Sequence, residues 1–348
     1  MRGGGRPRGA FSADEYLGWR YEAVKPSLAF NAMNEEQWRA WRSALEAKLI
    51  ELMEEWPEPC DLEPQLLERV EEEHYVREKV VFQSEPGVDV PAYVLVPKGL
   101  KPSERRPALL CAHGHGNGKD DVVGNTYGDA ERARWVKETN YDYARQLALR
   151  GYVTLAPDWR GFGERSRGYR YQGRDGCDVV QLKASLLGLN PLTLNVWDAI
   201  RSIDYLETRP EVKPDRIGMV GLSYGGTVTL FTAALDQRVK AAVVSGYLNS
   251  FRAFALGLGN FCGSQVVPGL LRYGEMWDVA GLIAPRPVLV ESGTRDLGFP
   301  IEAARLAFTR LKRVYEVLGV PERCEMDEFE GGHRFHGVKA VDWLAKWL

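Results

Sequence analysis

The chain has 348 residues, 45% hydrophobic and 27% charged, with 45 Lys+Arg against 48 Asp+Glu. That composition excludes wholesale disorder, and a formal net charge of −3 excludes a nucleic-acid binder that relies on bulk positive charge. The length suits one large α/β domain with additions, or two domains. No apolar run approaches the roughly 18–20 residues of a membrane helix, so no membrane partner is expected. No apolar segment follows the basic start MRGGGRPRGA, so no secretory leader is expected either. The five cysteines (Cys60, Cys111, Cys177, Cys262 and Cys324) are odd in number and form no C-x-x-C. They read as buried free thiols of a cytoplasmic protein.

In chain order, the Gly/Arg-rich first dozen residues read as loose. Between Asn34 and Trp56, the residues Trp38, Trp41, Leu45, Leu49 and Leu52 recur at helical spacing. Glu35 and Glu36 open this segment and Pro57 closes it. The two tryptophans need cover from the main domain or from a second copy, which makes the helix a candidate homo-oligomer contact or lid. Next, EEHYVREKVVFQS and VDVPAYVLVPKG read as strands joined at Glu85-Pro86-Gly87. The runs PALLCAHG, GYVTLAPD, DRIGMVG, KAAVVSG and RPVLVESG read as buried parallel strands. Helical patterns at 141–149, 191–206, 225–235, 301–317 and 338–348 alternate with them. The alternation predicts an α/β fold: a mostly parallel sheet covered on both faces, with antiparallel strands at one edge. Three long connections, residues 117–140, 159–190 and 249–275, leave the carboxyl ends of strands, where such sheets bind ligands.

The sharpest motif is Gly221-Leu222-Ser223-Tyr224-Gly225, between the apolar run IGMV and the helical run TVTLFTAAL. A G-x-S-x-G in strand–turn–helix context exposes its serine on a strained turn and requires small residues two positions away on each side. A serine hydroxyl needs a base, and the base needs an orienting carboxylate, in the chain order Ser, Asp/Glu, His. Of His74, His113, His115, His333 and His336, only the last two follow Ser223. His333 is preferred because Gly331-Gly332 lets the chain turn and project it; His336 reads as a surface or capping residue. Asp296 is preferred as the acid. It lies in the turn before a helix starting near Pro300, whereas Glu291 sits at the strand tip and reads as the partner of a base elsewhere.

Oxyanion donors are expected from the backbone N–H groups of Tyr224 and His115, with His113 supporting the glycine-rich loop. A metal site on His113-x-His115 lacks a third histidine, although Asp120 and Asp121 are nearby, so neither a metal nor an organic cofactor is expected. In DWRGFGERS, Asp158 and Arg160 are expected to bond the backbone and each other, and Trp159 is a candidate pocket residue. Tyr247, Phe251 and Arg272 are candidates for the substrate wall, or for core and lid. Cys262 has no histidine beside it in the chain and reads as a buried thiol.

His113-Gly114-His115-Gly116, DWRGFGERS, DRIGMVGLSYGG, LIAPRPVLVESGTRD and FEGGHRF lie within residues 107–348. Together they resemble the α/β-hydrolase superfamily, in its acetyl-xylan-esterase-like and dienelactone-hydrolase-like branch. VWDAIRSIDYLETRPEVKPDRIG is typical of esterase and prolyl-oligopeptidase-like members. The resemblance implies an α/β-hydrolase fold and a Ser223–His333–Asp296 triad; with the helical segment before it, the chain is expected to carry its catalytic domain over residues 67–348 behind an N-terminal helical extension over 1–66. Dienelactone hydrolases use cysteine where this chain has Ser223, which favours carboxylic esters over lactones. The expected activity is a serine carboxylic-ester hydrolase acting on a small-molecule ester through an acyl-enzyme. The alternatives are a prolyl-oligopeptidase-like peptidase or amidase and a non-catalytic binding protein on a hydrolase scaffold. For the first, about 100 N-terminal residues are too few to build the usual propeller.

Overall fold

Apolar residues alternate between two faces along each central strand, and burying both faces at once produces the sheet at the centre of the molecule. The computed structural model describes residues 9, 12–101, 103–166 and 175–348; most of the Gly/Arg-rich start lies outside these residues. Among the described residues nine strands pair: β1 (Gln65–Glu71), β2 (Tyr75–Glu85), β3 (Val88–Pro97), β4 (Arg106–Ala112), β5 (Val153–Pro157), β6 (Val212–Leu222), β7 (Val239–Ser245), β8 (Val288–Gly293) and β9 (Cys324–Phe329). Their spatial order is β1-β2-β3-β5-β4-β6-β7-β8-β9. From β5 to β9 every neighbouring pair is parallel, and β1, β2 and β3 extend one edge antiparallel. The expected hairpin forms, with Glu85 opposite Val88.

β1 was not expected. Leu66 and Leu67 stay 56% and 55% exposed, because an edge strand without a covered face carries no alternating pattern.

The helices are α1 (Ala13–Ala23), α2 (Glu35–Leu52), α3 (Lys119–Val122), α4 (Ala130–Glu138), α5 (Tyr143–Ala148), α6 (Gly176–Ser185), α7 (Pro191–Thr208), α8 (Tyr224–Leu235), α9 (Met276–Gly281), α10 (Ile301–Val317) and α11 (Val338–Trp347). On one face of the sheet, Ala108, Leu110, Met219 and Val244 join a core with α2, α7, α8, α9 and α10. On the other, Leu109, Cys111, Val220 and Val243 meet α5 and α11. No helix among the described residues is long and apolar enough to cross a membrane.

The N-terminal segment is anchored by α2. The Asn34 side chain caps it by accepting from the Gln37 N–H, and its Trp38, Trp41, Leu45 and Leu49 stripe is buried. The Trp41 ring lies so close to α9 that a β-carbon at Gly281 would come within 2.9 Å of it. Trp41 is therefore covered by this chain's own α9 and α10 layer, and Trp38 is buried as well. α1 buries no residue.

The long connections are not structureless. They carry α3 and α4 after β4, α6 after β5, and a π-helical turn, Phe251–Gly257, after β7. All three leave the carboxyl edge of the parallel strands, and the second and third line a cavity there together with the loops after β8 and β9.

Candidate active site

β6 ends at Leu222 and α8 begins at Tyr224, so Ser223 alone makes the reversal. It does so at φ 63°, ψ −123°, a conformation that costs a non-glycine residue roughly 1–3 kcal/mol. Two backbone bonds hold it: the Ser223 N–H donates to the Ser245 carbonyl (3.0 Å) and its own carbonyl accepts from the Thr227 N–H (3.0 Å). The flanking glycines answer to close approach. A β-carbon at Gly221 would stand 2.2 Å from the Gly225 carbonyl oxygen, and one at Gly225 would stand 1.9 Å from that of Ala112.

Asp296 sits in the turn between β8 and α10. Its Oδ1 accepts from the Gly298 and Phe299 N–H groups at 2.9 and 3.1 Å. Its Oδ2 lies 2.6 Å from Nδ1 of His333, which stands on the loop after β9. The His333 ring stacks on Phe299 at 5.4 Å, and it also lies close to Gly246, where a β-carbon would be 3.0 Å from Cε1. Ser223, Asp296, His333 and His115 all line one cavity of about 680 Å³.

The loop after β4 is fixed by buried hydrogen bonds. The Trp159 N–H donates to His113 Nε2 at 3.1 Å, so that nitrogen carries the lone pair. Nδ1 then bears the proton and donates to the Gly114 carbonyl at 2.8 Å. Asp158, 3.9 Å from Nε2, is not an ion-pair partner of this neutral ring, since its charge is met by Lys119 at 2.8 Å. The Gly114 N–H donates to the Tyr141 hydroxyl at 2.8 Å, and Asp121 accepts from the Asn117 N–H at 2.7 Å. With both nitrogens of His113 used inside the fold, His113 and His115 do not face a common point.

Burial pushes the His113 imidazole down to about 4. The unfolded chain therefore takes up a proton near pH 6.5 that the folded chain refuses. The stabilisation is full above pH 6.5 and drains as pH falls towards 4. Comparing unfolding of wild type and His113→Asn at pH 7 and pH 5 should show the wild type losing about 2 kcal/mol relative to the variant.

Residues 16–337 match the model of the Abhydrolase family (Abhydrolase_7). The chain belongs to this Abhydrolase family. YtaP of Bacillus subtilis (strain 168), provisionally named a hydrolase, is 28% identical over 316 residues, which cover 88% of this chain and 100% of YtaP. A Bacteroides fragilis structure provisionally named an acetyl xylan esterase superposes with a TM-score of 0.83 at 20% identity, covering 98% of this chain and 96% of that one. A glucuronoyl esterase from Solibacter usitatus superposes at 0.66 and 15% identity, over 93% and 98% of the two chains. The two structural likenesses establish the α/β-hydrolase fold.

Other expected residues of this Abhydrolase chain fall elsewhere. Trp159 and Tyr247 are fully buried and do not line the Ser223 cavity. Trp159 instead locks the loop, its indole N–H donating to the His113 carbonyl at 3.2 Å. Phe251 and Arg272 line a separate hollow of about 350 Å³ beneath α1. Asp158 and Arg160 do not bond each other: Arg160 pairs with Asp198 at 2.9 Å and Glu85 at 2.6 Å. Glu291 accepts from the His336 and Gly337 N–H groups, and burial pushes its carboxyl up to about 7. His336 is neither a free surface residue nor a cap. Its Nδ1 lies 2.6 Å from Asp327 and its ring stacks on Phe329 at 4.4 Å. Cys262 does have a histidine near it, His115, brought in from the loop after β4. Phe299, Asn195 and Tyr141 escaped the sequence reading, since each acts by packing or bonding to a residue far off in the chain. Asn195, for example, holds the Tyr224 hydroxyl at 2.6 Å.

Proposed function

We propose that this chain is a serine carboxylic-ester hydrolase working through an acyl-enzyme. The observation that carries the proposal is the strained Ser223 facing the same cavity as an imidazole held by a buried carboxylate. Asp296 fixes the proton on His333 Nδ1, so Nε2 is the basic nitrogen. That nitrogen takes the Ser223 proton as Oγ attacks the ester carbonyl, then delivers it to the leaving alcohol. Water, activated by the same nitrogen, releases the acid. The tetrahedral oxyanion is bound by the N–H of Tyr224, which opens α8 and has no intrahelical acceptor, and by the N–H of His115.

The relatives' names, acetyl xylan esterase and glucuronoyl esterase, support an ester of a sugar-bearing molecule. The cavity wall agrees: Asp175, Asp178, Asn260 and Arg295 offer polar contacts beside Phe261 and Phe299. We assign the chemistry to residues 67–348 and treat residues 1–66 as an N-terminal extension.

The test is a p-nitrophenyl ester series from acetyl to decanoyl, run beside an aminoacyl-proline amide. A maximum at short acyl chains with no amide cleavage is expected, together with fluorophosphonate labelling at Ser223. Folded protein that resists labelling would make it a binding protein, and amide cleavage would make it a peptidase.

A further inference from the structure

Two thiols in the cavity region have no part in ester hydrolysis. Cys177 stands near the start of α6, and Cys262 lies just before the turn Gly263–Gln265. His115 Nε2 is 3.6 Å from Cys177 Sγ, and the ligand atoms of His115, Cys177 and Cys262 all lie within 4.8 Å of one another. We propose that His115, Cys177 and Cys262 form a binding site for a thiophilic divalent cation of the zinc class, whose occupation shuts the cavity beside Ser223.

Three lines of geometry support the site. A zinc-like ion has bonds of about 2.3 Å to sulfur and about 2.0–2.1 Å to nitrogen, and tetrahedral angles then set N and S about 3.6 Å apart. The His115–Cys177 separation is already that edge, so the ion enters without rearrangement of the pair.

The donors are also held in place. The Gly263 N–H donates to Asp178 Oδ1 at 3.0 Å and the Ser264 hydroxyl to the Cys177 carbonyl at 3.4 Å, tying the two cysteine-bearing segments together. His115 sits on the loop braced by His113, Tyr141 and Asp121.

The surroundings suit a cation. Asp175 and Asp178 line the same wall, against one Arg295. Two sulfurs and one imidazole form a soft donor set that prefers zinc-like ions to magnesium or calcium. Three protein ligands leave a fourth position open, as in other three-ligand zinc sites. Because His115 and Cys262 face the cavity with Ser223, that position opens onto the space an ester would occupy.

The binding claim stands on these residues alone; only the loss of turnover rests on the Ser223 proposal. The experiment titrates Co2+ into the reduced, metal-free full chain. Stoichiometric Co2+ should give intense ligand-field bands and a sulfur-to-cobalt charge-transfer band, in wild type and equally in Ser223→Ala. Zn2+ should abolish the bands by displacement and lower ester turnover reversibly, with EDTA restoring it. Cys177→Ser and Cys262→Ser should each weaken Co2+ binding beyond the roughly 10–100-fold typical of losing an outer partner. Cys60→Ser, remote from the cluster, should bind as wild type.

Wild-type protein with no charge-transfer band at stoichiometric Co2+ overturns the proposal without recourse to any variant. So does a band that survives in the double variant Cys177→Ser/Cys262→Ser. A failure of the Ser223 reading looks different: the bands are present and there is no ester turnover to inhibit.

Discussion

Ser223→Ala is expected to lower kcat on the best short-chain ester by roughly a million-fold. Its circular dichroism spectrum and Tm should stay close to wild type. The two halves of this result have separate causes. The turn is held through backbone atoms, Ser223 N–H to Ser245 and Ser223 carbonyl to Thr227, and alanine keeps both. Only the hydroxyl that His333 would activate is lost. Alanine also keeps the positive-φ strain, whereas Ser223→Gly relieves it. Ser223→Gly should be just as inactive yet more stable than Ser223→Ala by about 1 kcal/mol in chemical denaturation. Turnover in Ser223→Ala within tenfold of wild type would remove the nucleophile from this position. Glycine proving no more stable than alanine would show that the turn carries less strain than its dihedrals indicate.

How far the chain could be read in advance depended on the range over which each constraint acts. The turn at Ser223 was visible because part of its steric demand falls on neighbours: a β-carbon at Gly221 would meet the Gly225 backbone, although the demand on Gly225 comes from Ala112 on another strand. The parallel strands were visible because burial on both faces leaves continuous apolar runs, as in β4 and β7. Chain order did not separate Asp296 from Glu291, since both lie between Ser223 and His333; the preference for Asp296 rested on its place in the turn before a helix. What stayed hidden was set by packing at a distance. Nothing around Trp159 says whether an aromatic residue at a strand end will line a cavity or seal a loop; that is decided by where His113 lies. The Arg160–Asp198 pair joins a turn to the middle of α7, and the His336–Asp327 pair depends on how α11 returns past β9. The Cys177–Cys262–His115 cluster draws on three separate connections, so no spacing rule could announce it.

Asp296→Asn is expected to reduce kcat by about 10⁴-fold with little change in KM or in thermal stability. The asparagine carbonyl can still accept from the Gly298 and Phe299 N–H groups, so the turn keeps its two bonds. Towards His333, however, the side chain now presents an amide N–H where the carboxylate Oδ2 stood 2.6 Å away. Two donors cannot share that contact, so Nδ1 gives up its proton and Nε2 takes it. The nitrogen that should accept the serine proton is then already protonated, and the charge that steadied the imidazolium is gone. Asp296→Ala differs in an informative way. It loses the carboxylate and also orphans the two turn amides, so it should show a comparable fall in kcat together with about 1–2 kcal/mol of destabilisation. Glu291→Gln is the control: Glu291 holds the amides of His336 and Gly337 and makes no hydrogen bond to His333, so kcat should stay near wild type. If Glu291→Gln silences the enzyme while Asp296→Asn spares it, the orienting acid is the strand-tip glutamate. The hydrogen bond at 2.6 Å would then be a structural contact with no part in proton transfer.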